Sequence, residues 1–145
     1  MESVISSSMD NDLLDRMNID LDDECEPRSL RECEEGLPLA IFACRKAPGF
    51  ENAVNVCDFC RSLLAAHLRE RGDAGKTRSL LEESLITVRL ALNSVLADEA
   101  EQVRHFMENI GFRIQVVDKL LSQGEAAVCE LIDQRQISLA QRLIQ

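Results

Sequence analysis

Aromatic residues are nearly missing from this 145-residue chain, which has no Trp, no Tyr and five Phe. Its core must therefore be aliphatic, and 46% hydrophobic residues are enough to build one. Long apolar runs are missing too. The longest uncharged stretch, Gly36 to Cys44, is about half of the roughly 20 residues that a bilayer crossing needs, and the N-terminus lacks a basic, apolar leader pattern. Basic residues are outnumbered, 16 Lys plus Arg against 26 Asp plus Glu, a formal charge of -10. That balance argues against nonspecific binding to nucleic acid, which needs a basic surface for the phosphates. Histidine is scarce, with His67 and His105 far apart. Without a glycine-rich active loop either, the sequence offers few catalytic candidates, and an enzyme is not expected.

The acidity belongs to one segment. Residues 1–35 hold twelve carboxylates and three arginines, so -9 of the -10 lies there and the remaining 110 residues are almost neutral. A segment of that composition buries too little apolar surface to offset the entropy of ordering, so residues 1–36 are expected to be acidic and partly disordered, with 37–145 forming the folded body. Short helices are compatible with the segment: Asp10 suits a cap for a turn carrying Leu13, Leu14 and Met17, and Pro27 suits the first position of a stretch ending at Gly36. Leu13, Leu14 and Met17 set among acids also have the pattern of an amphipathic segment that folds against a partner.

From Leu37 onward apolar residues recur at three- and four-residue spacing, and the expected fold is all-α, a compact bundle of five to six helices. Leu39 to Lys46 reads as a short buried helix ended by Pro48-Gly49, with a strand over Leu37 to Cys44 as the rival. Ala53, Cys57, Cys60, Leu64 and Leu68 share one face of a helix that stops at Gly72 to Gly75. Ser79 followed by Glu82 reads as a capping box, opening a stretch from Leu80 to Asn109 of one helix or two, closed by Gly111. Further helices follow over Phe112 to Leu121, and from a cap at Ser122 toward Ile144.

The six cysteines carry the sharpest chemistry. Without a secretory context they read as reduced thiols of a cytoplasmic, and also nuclear, protein. Cys57, Cys60 and His67, with Cys44 to complete the set, have the donor types of a zinc site, although only one CxxC pair is present. The competing reading makes Cys57 and Cys60 small hydrophobes on an inner helix face. Gly72-Asp73-Ala74-Gly75-Lys76-Thr77 has the end of a phosphate-binding loop, but Glu70 stands where its first glycine belongs and no strand precedes it.

Three resemblances bear on partners. Leu64, Leu68, Gly72 and Asp73 resemble the centre of the helical death motif that docks in the groove of apoptosis regulators, with Arg71 and Ala74-Gly75 standing where the motif has apolar anchors. Leu81, Leu85, Val88 and Leu90 resemble a leucine-rich nuclear export signal. The run from Val116 to Gly124 is similar in pattern to segments of caspase-recruitment and death-effector domains, which implies an adaptor that associates through charged surfaces. Together these readings favour a non-enzymatic regulator or adaptor that binds proteins through helices, of the small viral or stress-related kind that modulates signalling or apoptosis. Leu13, Leu14, Met17, Leu64, Leu68 and Asp73 are its candidate partner-binding residues, and a homo-oligomer is expected because a small Leu- and Val-rich bundle leaves a residual apolar face. The alternative is a zinc-stabilised, cysteine-rich module that also reaches RNA through Arg61, Arg69, Arg71, Lys76 and Arg78.

Overall fold

The computed structural model describes residues 28–144, which are helical apart from short connections and fall into two units, 28–115 and 116–144. The helices are α1 (Leu30–Lys46), α2 (Phe50–Glu70), α3 (Ala74–Ala91), α4 (Ala97–Gln123) and α5 (Glu125–Ile144), with a 3-10 turn at Leu92–Ser94. The expected all-α class is thus what the chain adopts, and no strand occurs among the described residues.

Helix α1 begins well before Leu39. Ser29 Oγ accepts from the Glu32 backbone N–H at 3.1 Å while Glu32 Oε1 accepts from the Ser29 N–H at 3.4 Å, a complete capping box. The helix then runs through both Gly36 and Pro38, so the boundary drawn between residues 36 and 37 falls inside it. Two packing facts allow this. Pro38 is exposed, and its missing N–H deprives a single carbonyl, that of Glu34. Gly36 faces Phe59 of α2 so closely that a Cβ would lie 2.5 Å from Cε1 and 2.6 Å from Cζ. Glycine is therefore a spacer where two helices touch.

Helices α1 and α2 run antiparallel. Arg28, just before α1, donates to Ser62 Oγ at 3.0 Å and stacks over the Phe59 ring at 4.4 Å, and the Leu30 N–H donates to Glu70 at 2.7 Å. At the other end Asn52 donates to the Ala47 carbonyl at 2.8 Å. Helix α3 is parallel to α1: Lys76 pairs with Glu34 at 2.9 Å, and eleven residues later Arg45 reaches Thr87 at 2.9 Å and Glu83. The α2 face read from the sequence is the centre of this unit, with Ala53, Cys57, Cys60, Leu64 and Leu68 all buried. Cys33, Leu37 and Cys44 of α1, and Leu81, Val88 and Ala91 of α3, close around it. Phe50 stacks on Phe106 at 6.2 Å between centroids, bringing the first turns of α2 against α4.

Other helix ends differ from the sequence expectation. Helix α3 starts at Ala74, because Asp73 Oδ1 accepts from the Gly75 N–H at 2.9 Å and the Lys76 N–H at 3.4 Å. Asp73 comes first along the chain and caps the turn, which leaves Ser79 as an exposed residue inside the helix. The stretch from Leu80 to Asn109 is two helices. The second opens with Glu99 accepting from the Leu96 N–H at 3.1 Å, and it passes through Gly111 without a break, carried by buried Val103, Phe106, Ile110 and Phe112 on either side of the glycine. The true stop is Gly124, at φ +86°, a left-handed position where its N–H closes back on the Lys119 carbonyl at 3.0 Å. Ser122 donates to the Asp118 carbonyl and caps nothing. In the second unit Val116, Val117, Val128 and Ile132 are buried. The expected disorder of the first residues, and Leu13, Leu14, Met17 and Cys25, lie outside the described residues.

Candidate functional site

The candidate metal ligands do not assemble. Cys57 and Cys60 sit one turn apart on the buried face of α2, as their spacing requires. His67 is seven residues further along the same helix, about 10 Å by helical rise, and its Nδ1 is 3.0 Å from Thr77 Oγ1 of α3. Cys44 lies buried near the C-terminal end of α1. Among the described residues no group of three or more His, Cys, Asp or Glu is placed to hold a metal ion. The donors are present in the sequence but helical rise spreads them along the bundle.

The thiols behave as core groups. Burial is the main cause that pushes the Cys60 thiol up to about 12, and the nearby Cys57 and Cys33 sulfurs add to it; a Ser84 hydrogen bond and the charge of Arg113 pull the other way. Cys44 is raised as well, again chiefly by burial. A thiol held protonated is neither a nucleophile nor a ready metal ligand at neutral pH. His67 shifts in the other direction, lowered first by burial and less than it would be without the opposing charges of Asp73 and Glu34.

Other sequence candidates are also taken up by structure. Leu64 and Leu68, expected at a partner surface, are 1% and 8% exposed. The death-motif pattern spans two elements, since α2 ends at Glu70 and Asp73 caps α3, so its anchors do not share one helical face. Of the export-signal positions, Leu81 and Val88 are buried while Leu90 is exposed. The basic cluster is partly taken up within the chain: Lys76 is neutralised by Glu34 and Arg78 by Glu82 at 2.7 Å, while Arg69 keeps its charge but donates to the Arg28 carbonyl at 3.1 Å. An open concavity along α4 is lined by Asp98, Glu101, Arg104, His105 and Glu108, a charged helix surface.

What the sequence reading misses lies on the outside of α1 and α3. Leu39 and Phe42 are 70% and 66% exposed, and Ile86 and Leu90 are 46% and 55% exposed. Leu39 to Lys46 is therefore not the buried helix expected. At 100° per residue, Leu39 and Phe42 stand opposite Cys33, Leu37 and Cys44, and Ile86 and Leu90 are turned away from Thr77 and Ser84. Because α1 and α3 are parallel neighbours, the two apolar pairs belong to adjacent helices of one unit. A signal is available in the sequence: i, i+3 and i, i+4 apolar pairs displaced by about half a turn from a continuous inner stripe.

Comparison with known proteins returns no relative: no family model, no curated protein and no solved structure matches the chain.

Proposed function

We propose that this chain is a non-enzymatic binding module that holds a protein partner on the outer faces of α1 and α3. One observation carries the reading: Leu39, Phe42, Ile86 and Leu90 are large apolar side chains, each close to half exposed or more, on two neighbouring parallel helices. Single exposed apolar residues are ordinary on a folded surface, but paired sets on adjacent helices mark interaction sites. Charged residues, among them Glu35, Lys46, Glu82 and Arg89, rim the set, as an interface requires: an apolar centre that loses water and a polar edge that keeps it. The partner chemistry that fits is an apolar helical stripe, which would pack into the outer face by side-chain interdigitation. In this role the chain is an adaptor, and its buried thiols and capped helices serve to hold the face in shape.

The test is site-specific photo-crosslinking in cells expressing the chain. A benzophenone side chain in place of Phe42 is expected to give a discrete protein adduct, and the same group in place of Arg104, exposed on α4, is not. Equal labelling at the two positions, or no adduct at position 42, refutes the proposal.

A further inference from the structure

The outer face of α1 has a charge pattern that names its occupant. Glu35, Leu39, Phe42 and Lys46 follow one another at spacings of four, three and four, and lie within about 60° of arc on the side of α1 away from the core. All four are exposed. The set is symmetric about its middle: the midpoint between Leu39 and Phe42 is also the midpoint between Glu35 and Lys46. A two-fold axis through that point, perpendicular to the helix, exchanges the two apolar residues and exchanges an acid for a base.

On this basis, and resting on the reading of the outer face as a binding surface, we propose that the partner seated on α1 is a second copy of this chain. The two α1 helices pack antiparallel, with Leu39 of one copy beside Phe42 of the other and Lys46 of one opposite Glu35 of the other. A two-fold interface has to be self-complementary, each patch meeting itself, and a stripe of one sign of charge at both ends would repel its own image. Here the ends carry opposite signs. The two charged ends stand about 16 Å apart by helical rise, which sets both ion pairs at the rim of a short apolar seam. Spacings of three and four are those of helices that interdigitate at a shallow crossing angle. Pro38 and Ala43 flank the seam, and both are exposed, with side chains short enough for the helices to approach.

The state of the charges agrees with this. Among the described residues Lys46 makes no ion pair, so it is available to a second chain. Glu35 holds Arg31 at 3.0 Å, but both side chains are mostly in solvent, where such a pair is weak and readily exchanged.

Sedimentation velocity of the full chain over a range of concentrations, with circular dichroism as the control for folding, tests the assignment. The wild-type chain is expected to sediment as a dimer at tens of micromolar, and Phe42→Glu as a monomer of unchanged helicity. Lys46→Glu and Glu35→Lys, each placing like charges at both ends of the seam, should each weaken self-association by about tenfold or more. An equimolar mixture of those two variants should recover the wild-type dimer, because in the mixed pair an acid again faces a base at each end of the seam. A wild-type monomer at all concentrations overturns the proposal, and so does a dimer whose strength ignores the two charge variants or is not recovered on mixing. A monomeric wild type that still gives an adduct to another protein from position 42 would refute self-association while leaving the binding-module reading intact.

Discussion

The contact between Gly36 and Phe59 yields a prediction whose sign reverses with its surroundings. An Ala at position 36 places its Cβ 2.5 Å from Phe59 Cε1 and 2.6 Å from Cζ, whereas Cδ1 lies at an ordinary 3.5 Å. Carbon atoms prefer separations of about 3.5–4.0 Å, so the outer edge of the ring must move by about 1 Å. The ring is held by α1 on one side and carries the Arg28 guanidinium 4.4 Å from its centroid. Overpacking of this kind costs about 1–3 kcal/mol, and disturbing the cation–ring contact adds up to about 1 kcal/mol. Against this, replacing Gly by Ala inside a helix gains about 0.5–1 kcal/mol. Gly36→Ala should therefore lose about 1–2 kcal/mol net, read from urea denaturation followed by circular dichroism. Phe59→Leu removes Cε1 and Cζ and keeps the branch that does not clash. In that background the same Gly36→Ala change should stabilise, by the helix gain of about 0.5–1 kcal/mol. The reasoning fails if Gly36→Ala stabilises the wild-type chain, or if the two substitutions are additive, since residues in contact are expected to couple.

Four further outcomes follow from the geometry. Asp73→Ala should cost about 1 kcal/mol by removing the α3 cap, while Ser79→Ala should stay within about 0.5 kcal/mol, as exposed positions do; comparable losses in urea melts would restore Ser79 as the cap. His67 is lowered from its ordinary 6.5 by burial, partly offset by Asp73 and Glu34, so the unfolded chain takes up the proton first. Stability from this group is full above pH 6.5 and declines as pH falls below it toward the folded value; His67→Gln should flatten the difference between urea midpoints at about pH 7.5 and 5.5, and an unchanged difference would remove His67 from the account. The thiols of Cys33, Cys44, Cys57 and Cys60 are buried, so a small alkylating reagent at neutral pH should label them only on unfolding, as located by peptide mass spectrometry. With Cys60 raised to about 12, stability should also decline as pH rises above its ordinary value of 9.0, because the unfolded thiol ionises there and the folded one does not.

Periodicity carries the parts of the fold that burial controls. Ala53, Cys57, Cys60, Leu64 and Leu68 are readable as a face because a helix needs a continuous apolar stripe against its neighbours, and all five are in the core. Helix ends are less legible, because several residues compete for each one. Gly36, Pro38 and Gly111 each read as a stop by local preference, yet α1 and α4 pass through them. A penalty of about 1 kcal/mol for a glycine is small beside what Leu37, Ile41, Ile110 and Phe112 gain by staying on a buried face. Two helix starts are open to reading, since Ser29 with Glu32 has the capping-box spacing and Asp73 precedes Ser79 along the chain. The second is masked by the Gly-Lys-Thr that follows Asp73, which points to phosphates instead of to the backbone N–H groups that Asp73 satisfies.

The candidate site is hidden for a different reason. Leu39 and Phe42 are apolar, and so are their neighbours Leu37, Ala40 and Ile41, so the run from Gly36 to Cys44 presents hydrophobic side chains all round the helix. Such a helix reads as wholly buried. Only the start at Leu30 fixes the phase, because Cys33, Leu37 and Cys44 then mark the inner side and put Leu39 and Phe42 opposite. The inner stripe of α1 is filled by this chain's own α2 and α3, and the outer one is flanked by an acid and a base at equal distances from its centre. Bundle packing accounts for the first stripe alone. A solvent-facing turn would be served as well by polar residues at 39 and 42, so the second stripe is what supports the proposed partner site, and its antisymmetric charges are what support the proposal that the occupant carries the same stripe reversed.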